Sequence, residues 1–261
     1  MARKYDRAIE PWESSPEIFT SAAHSLGLSE EFYFVDVLDL EGKLPQGTVA
    51  LVLAYTTPDD YESQQELNAT QARGIAWNGE SFNVVWLSQK VQNACGPYAL
   101  FHATFNSIGR DHVGMSDGLL VLVPNADEWE AKGSYLHRTR EILMEATSQE
   151  EQSVKLQNFF ELWEKCEEIG KLGDSTPPEN AEADVEPHFV CFTGMSGWLA
   201  MFDSDSTSGP EGLDVQLSPS GMLPDLALHA VTKHLMSHAH EDRHHLSSLL
   251  ALVHDTDEKN D

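Results

Sequence analysis

The chain has 261 residues, of which 41% are hydrophobic, and its 16 basic and 43 acidic residues give a net charge of −27 at pH 7. The apolar content suffices for one sizeable core, whereas the charge excludes nucleic acid as a partner and favours a basic protein. Three cysteines give no disulfide framework, and without a signal peptide or an apolar run of roughly 18 residues we expect no membrane association and a cytoplasmic location, with the nucleus as a second compartment.

The hydrophobic pattern predicts alternating helices and short strands. Ser15 is suited to cap a first helix that has Pro16 at its first position and Gly27 after its end. The strand at 48–55 is apolar on both faces and should be central. The other predicted strands are at 32–38, 84–87 and 246–253. The other predicted helices are a polar helix from Thr57, helices at 135–146 and 223–238, and a helix from the capping box at Ser148 to Gly170. The apolar run at 119–123 fits either a strand or a buried helix segment.

The stretch 84–103 contains the strongest candidate for chemistry. An apolar run leads into a tight turn at Asn93, then Cys95, and then a helix for which Pro97 is a suitable first residue. A cysteine at a helix N-terminus lies among unpaired N–H groups and at the positive end of the dipole, which favours the nucleophilic thiolate. Gln89, six residues earlier, could donate to a developing oxyanion together with the Cys95 N–H. The alternative is a buried structural cysteine.

A predicted β-hairpin supplies a base and its orienting acid. Two apolar runs flank a Gly-x-x-Gly turn at 194–197. If Met195 and Ser196 form a two-residue loop, His188 lies directly opposite Asp203 on one face of the sheet. Opposed Cβ atoms lie roughly 5 Å apart, which allows an imidazole–carboxylate hydrogen bond. A nucleophile, a base and an orienting carboxylate are the parts of a catalytic triad.

These residues together match a known family. The matching positions are Gln89, Asn93-Ala94-Cys95-Gly96, Leu100-x-His102-Ala103, His188-Phe189 and Asp203, with Glu13-Ser14-Ser15-Pro16-Glu17 and Phe34-Val35-Asp36-Val37 near the start and Asp242-Arg243 near the end. In this pattern the chain resembles the ubiquitin C-terminal hydrolase family of cysteine deubiquitinases, and above all its small single-domain members.

The resemblance implies a fold and an activity. The fold would be α+β, a single domain with a central, mainly antiparallel sheet wrapped by helices in a papain-like arrangement with a knotted topology. Catalysis would use Cys95 as nucleophile, His188 as general base and acid, Asp203 to orient the imidazole, and Gln89 in the oxyanion hole. The substrate would be ubiquitin carrying a small adduct or short peptide, hydrolysed by a monomer without metal or cofactor. Asp36 and Glu13 would bind the two arginines of the ubiquitin tail.

The resemblance also implies domain boundaries, and the sequence differs from the family pattern at a few positions. The catalytic domain would span residues 1–254, followed by a charged tail at 255–261. The polar segment 173–186 would be a mobile loop that crosses the active-site cleft and limits the size of the leaving group. Phe202-Asp203-Ser204 replaces the family's Leu-Asp-Gly, and Pro97-Tyr98 stands where smaller residues are usual, which should reshape the cleft.

The remaining signals are weaker, and three alternative functions stay open. His234 and His238 have the i, i+4 spacing of a zinc pair, but a solvated helix end is the preferred interpretation. His102 is expected in the core, and Cys166 and Cys191 are expected to be structural. The alternatives to a ubiquitin hydrolase are a weak or inactive ubiquitin-binding relative and a cysteine hydrolase acting on a ubiquitin-like modifier. An acidic scaffolding protein is a third class.

Overall fold

The computed structural model describes residues 5, 7–58, 61, 84–107, 131–146, 148–174, 187–195, 197–206, 209–217 and 222–255. The strands are β1 Phe32–Asp36, β2 Thr48–Tyr55, β3 His188–Met195, β4 Trp198–Phe202, β5 Glu211–Gln216 and β6 Ser248–His254. The helices are α1 Pro16–Leu26, α2 Cys95–Ser107, α3 Tyr135–Met144, α4 Gln149–Gln157, α5 Phe160–Gly170 and α6 Asp225–His238, with a 3₁₀ helix at Glu241–Leu246.

The described strands form one antiparallel sheet with helices on both faces. The strand order is β1-β6-β2-β3-β4-β5, so β2 is an interior strand, as its two apolar faces predicted. Because side chains alternate along a strand, Val52 contributes to the core shared with α1 and α2, whereas Leu53 contributes to the core shared with α6. The predicted α+β class with a helix-wrapped antiparallel sheet is confirmed.

The N-terminal helix begins and ends where its capping residues predicted. The Ser15 hydroxyl accepts a hydrogen bond from the Ile18 N–H, and Pro16 is the first helical residue. Gly27 has φ +110°, a left-handed conformation that glycine adopts without steric cost, and its N–H bonds back to the Ala23 carbonyl. None of the described helices combines the length and apolar character needed to cross a bilayer.

Two element predictions were wrong in detail. The single helix predicted from 148 to 170 is two helices separated by Asn158 and Phe159, and the Leu156 carbonyl at this break accepts from the Phe159 N–H at 3.0 Å and from the Trp163 indole N–H at 2.8 Å. The Gly/Pro/Ser-rich segment 204–221, for which no element was predicted, contains strand β5, and only one side chain of this strand is buried, which explains its weak hydrophobic signal.

Most of the predicted polar helix after Thr57 and the whole element at 119–123 lie outside the described residues. The knotted chain path therefore stays a prediction. Of the predicted crossover loop, only Gly173 and Asp174 are described, and residues 175–186 lie outside.

The segment before the nucleophile is not the strand that its apolar residues predicted. Residues 84–91 belong to no described strand, and the backbone N–H groups of three of them bond instead to polar side chains of α2. Three residues at i, i+4 and i+8 on one helix face provide these bonds: the Tyr98 hydroxyl accepts from the Lys90 N–H at 3.1 Å, His102 Nε2 from the Leu87 N–H at 3.0 Å, and Asn106 Oδ1 from the Val85 N–H at 2.9 Å. We call Tyr98, His102 and Asn106 the polar stripe of α2.

Candidate active site

Cys95 is the first residue of α2, directly after a tight turn. Asn93 has φ +60°, a conformation that asparagine tolerates better than most residues. The Cys95 side chain is half-buried, and its Sγ lies 4.0 Å from the Pro187 carbonyl oxygen. Pro97 is the third helical residue rather than the first, but it still lies in the first turn, where its missing N–H leaves no hydrogen bond unmade.

The structure places His188 and Asp203 in hydrogen-bond contact, although the hairpin register differs from the predicted one. His188 Nε2 lies 3.0 Å from Asp203 Oδ1. The observed ladder pairs Met195 with Trp198 and Cys191 with Phe202, so the register is shifted by two residues. Asp203 is therefore diagonal to His188 rather than directly opposite. A shift of two residues keeps each side chain on the same face of the sheet, so the contact survives the wrong register.

The Asp203 carboxylate is buried and receives several hydrogen bonds. In addition to His188, the Tyr61 hydroxyl donates to Oδ2 at 2.5 Å and the Asp205 N–H donates to Oδ1 at 2.9 Å. Burial alone would raise the pKa of Asp203, but the charge of His188 and these hydrogen bonds outweigh it and lower the pKa. The carboxylate is therefore ionised at neutral pH.

His188 is 9% exposed and carries partners on both ring nitrogens. Burial alone would lower the pKa of His188, but the charge and hydrogen bond of Asp203, together with a hydrogen bond to the Cys95 side chain, raise it above its usual value. A second carboxylate oxygen, Asp205 Oδ2, lies 3.9 Å from Nδ1. An imidazole placed between a thiol and a buried carboxylate can take up the thiol proton and return it to a leaving group.

Gln89 is held beside this group by Ser204. The Gln89 N–H donates to the Ser204 carbonyl at 2.8 Å, and the Ser204 hydroxyl donates to Gln89 Oε1 at 2.9 Å. Both side chains are buried, with 6% of Gln89 and 2% of Ser204 exposed. Among the described residues, none accepts a hydrogen bond from Gln89 Nε2, so this N–H₂ group is available to a bound oxyanion.

Tyr98 does not reshape the cleft as predicted, because its side chain lies in the core. It is fully buried, and its ring packs on Trp163 with centroids 5.4 Å apart. Its hydroxyl bonds the N–H of Lys90, the residue after Gln89. The departure from the family pattern therefore supports the chain next to the candidate oxyanion group.

The two acids expected to bind substrate lie on separate elements. Asp36 is an exposed residue at the end of β1, where it pairs with Leu250 of β6. Glu13 is half-buried before α1 and packs against Gly173, where an added Cβ would lie 2.8 Å from Glu13 Cδ. Glu13 thus contacts the first residue of the predicted crossover loop. The binding roles of both acids stay predictions.

Two further histidines and the two other cysteines occupy structural positions. His102 is fully buried and accepts from Leu87 N–H, because burial lowers its pKa to about 3 and keeps it neutral. His234 is not the solvated residue predicted, since its ring packs on Tyr55 and Phe192. Burial raises the thiol pKa of Cys166 and of Cys191. No cluster of three or more metal-ligating side chains occurs in the part of the chain that the structure describes.

Sequence reasoning missed three residues that contact the candidate machinery. Tyr61 lies in a stretch of polar residues that gave no sign of contact with the core. Ser204 was noticed only as a departure from a glycine. Asp205 could have been found from the Asp-x-Asp spacing, because the predicted strand, if continued past residue 203, would place residues 203 and 205 on the same side.

Comparison with known proteins agrees with this geometry. The family model described as ubiquitin carboxyl-terminal hydrolase, family 1, matches residues 10–237. The Saccharomyces cerevisiae ubiquitin carboxyl-terminal hydrolase YUH1 is 29% identical over 210 residues, 78% of each chain, and human isozyme L1 is 26% identical over 202 residues, 75% of this chain and 78% of that one.

A solved structure shows the same fold. The catalytic domain of Trichinella spiralis UCH37 bound to ubiquitin vinyl methyl ester aligns with a TM-score of 0.66 at 17% identity, covering 96% of this chain and 98% of that one. At this identity the likeness concerns the fold alone, whereas the family model spans most of the sequence. The chain therefore belongs to family 1 of the ubiquitin carboxyl-terminal hydrolases, which are cysteine peptidases.

Proposed function

We propose that this chain hydrolyses small adducts and short peptides from the C-terminal glycine of ubiquitin through a Cys95–His188–Asp203 triad. The observation that carries the proposal is the 3.0 Å hydrogen bond between the buried His188 and Asp203, beside a half-buried thiol at the start of α2. Such a triad activates a thiol for attack on a carbonyl carbon.

The reaction begins when His188 takes the proton of the Cys95 thiol. The thiolate forms a bond to the glycine carbonyl carbon, and the carbonyl electrons move onto oxygen to give a tetrahedral oxyanion. When the oxyanion collapses, the bond to the leaving amine or thiol breaks and His188 returns its proton to that group. A thioester remains on Cys95. Water, deprotonated by His188, then attacks the thioester, which releases ubiquitin and the restored thiol.

Two donors would stabilise the oxyanion. The Cys95 N–H belongs to the first turn of α2, where backbone N–H groups have no partner within the helix. Gln89 Nε2 is the second donor, and its oxygen is already bonded to Ser204. Donors that are fixed before the reaction cost little reorganisation at the transition state, and each is worth about 10²–10³-fold in rate in comparable enzymes.

The proposed partner is ubiquitin, approached by an acidic enzyme. The charge of −27 favours fast association with a basic tail. Asp36 and Glu13 are the proposed contacts of the two tail arginines. A ubiquitin-like modifier is the alternative partner. The two are distinguished by comparing the kcat/KM for a fluorogenic ubiquitin amide with that for the corresponding amide of a ubiquitin-like modifier.

The remaining features follow from the resemblance. We expect a monomer in the cytoplasm, with the nucleus as second compartment, where Cys95, Cys166 and Cys191 stay free as in the structure. The crossover loop at 173–186 is expected to exclude folded proteins as leaving groups. A gel assay on linked di-ubiquitin tests this size limit, and rapid cleavage would contradict it.

The proposal is tested with a thiol-directed ubiquitin probe and a fluorogenic ubiquitin amide. The parent chain should form one covalent adduct and turn over the amide. Cys95→Ser should do neither while still binding ubiquitin in calorimetry. Cys166→Ala is the matched control, because that thiol is fully buried, and it should keep both reactions. Binding without any adduct or turnover by the parent chain would instead identify an inactive ubiquitin-binding relative.

A further inference from the structure

Two consecutive residues after β4 contact both halves of the proposed machinery. Asp203 bonds His188 at 3.0 Å, and the next residue, Ser204, bonds Gln89 through its carbonyl at 2.8 Å and through its hydroxyl at 2.9 Å. The Trp86 indole N–H also donates to the Asp203 carbonyl at 3.2 Å, which ties this dipeptide to the segment that carries Gln89. The base and the candidate oxyanion donor are thus held by neighbouring residues of one short segment.

The Ser204 hydroxyl bonds the oxygen end of the Gln89 amide, which leaves the N–H₂ end facing away from Ser204. The terminal torsion of a glutamine side chain is broad and roughly two-fold, so an unrestrained amide can present either its oxygen or its N–H₂ group. A hydroxyl that donates to Oε1 favours one of these orientations. With the oxygen occupied by Ser204, Nε2 is the atom left to meet an oxyanion. An oxygen at that position would instead repel the developing negative charge.

We propose that Ser204 is a positioning residue that orients the Gln89 amide as an oxyanion donor. This inference rests on the proposed hydrolase function. The family pattern has glycine at this position, as in the Leu-Asp-Gly that Phe202-Asp203-Ser204 replaces, and a glycine offers no hydroxyl. A glycine at this position could still accept from the Gln89 N–H through its carbonyl, but only Ser204 adds a second hydrogen bond, from its hydroxyl to Gln89 Oε1. Its contribution should be expressed in the transition state, where the oxyanion forms, and little in substrate binding.

The experiment compares Ser204→Ala with Ser204→Thr, which keeps a hydroxyl, and with Ser206→Ala as matched control. Ser206 lies in the same loop, is 7% exposed, and donates to the Gly209 carbonyl rather than to Gln89. With a fluorogenic ubiquitin amide, Ser204→Ala should lower kcat about tenfold and leave KM within twofold, consistent with one lost hydrogen bond. Ser204→Thr should recover most of the loss, and Ser206→Ala should stay within twofold of the parent.

Two further measurements separate orientation of Gln89 from a general structural effect. Alkylation of Cys95 by iodoacetamide is a displacement at a saturated carbon and forms no oxyanion, so Ser204→Ala should alkylate at the parent rate. In a Gln89→Ala background, adding Ser204→Ala should change kcat less than twofold, because the group to be oriented is absent. Ser204→Gly gives the same tests if the alanine variant does not fold.

The inference is overturned if an active parent and Ser204→Ala have equal kcat, if alkylation falls together with turnover, or if the full loss persists in the Gln89→Ala background. A parent chain with no turnover at all would instead refute the proposed function, so the two failures are distinguishable.

Discussion

The two aspartates near His188 should differ greatly in their importance for turnover. Asp203 Oδ1 lies 3.0 Å from Nε2, whereas Asp205 Oδ2 lies 3.9 Å from Nδ1. The observed β3–β4 register, extended by three residues, would place Asp205 rather than Asp203 opposite His188. The extended ladder register therefore favours Asp205 as the orienting acid, whereas the hydrogen-bond distance favours Asp203. We expect the hydrogen-bonded one, Asp203, to be that acid.

The expected magnitude follows from distance and burial. For the buried Asp203, Coulomb attraction to an imidazolium is about 5 kcal/mol at an effective dielectric constant near 20. For Asp205, whose side chain is 29% exposed, the attraction approaches the value in water, about 1 kcal/mol. Part of the attraction between Asp203 and the imidazolium only offsets the desolvation cost of burying a charged His188. Asp203→Asn should therefore lower kcat about 10³-fold, in keeping with other triads, and Asp205→Asn at most about fivefold.

The assay is steady-state hydrolysis of a fluorogenic ubiquitin amide by the parent chain, Asp203→Asn and Asp205→Asn, with urea unfolding of each to separate activity from stability. KM should change little in both variants, because neither carboxylate is proposed to bind ubiquitin. A loss of kcat that is as large in Asp205→Asn as in Asp203→Asn would refute the reasoning. A larger loss in Asp205→Asn would show that the ladder register, not the hydrogen bond, identifies the orienting acid.

Three further predictions concern the surroundings of this site. Tyr61→Phe removes a donor from the buried Asp203 carboxylate and should lower the free energy of unfolding by about 2 kcal/mol in urea titrations; equal stability would contradict the bond. Asp36→Ala should raise KM for ubiquitin substrates and flatten its salt dependence, and an unchanged salt slope would remove Asp36 from the binding surface. Burial lowers the pKa of both His102 and His234 to about 3, so the unfolded chain binds more protons below pH 6.5, and the free energy of unfolding should fall by about 1.5 kcal/mol for each between pH 6.5 and 5. A flat profile there would show that the two histidines charge without unfolding.

Local signals predicted those parts of the structure that depend on neighbouring residues in the sequence. The first helix was predicted correctly because Ser15 and Gly27 act through backbone groups a few residues away. The interior strand β2 was predicted because both of its faces are apolar. The contact of His188 with Asp203 was anticipated although the register was wrong, since alternation along a strand fixes the face of a side chain but not its partner.

The failures concern residues whose partners are distant in sequence. Residues 84–87 are as apolar as a buried strand, and only the structure reveals that their hydrogen-bond partners are side chains of a helix. Tyr61 and Ser204 are polar residues in segments without periodicity, and each contacts the site across more than 100 residues of chain. Hydrophobic pattern records burial, but it carries no information on which polar side chain meets which backbone group.

The polar stripe of α2 is a long-range contact of this kind, and it bears on function. A buried helix normally presents apolar residues all round, so Tyr98, His102 and Asn106 at four-residue spacing were a signal of specific partners. They bond backbone N–H groups of the segment that carries Gln89, and Cys95 begins the same helix. Both proposed oxyanion donors, Gln89 Nε2 and the Cys95 N–H, are thereby positioned by one rigid element. A strand in place of this segment would take its register from the sheet, whereas here the helix itself fixes the distance between glutamine and nucleophile, as a preorganised site requires.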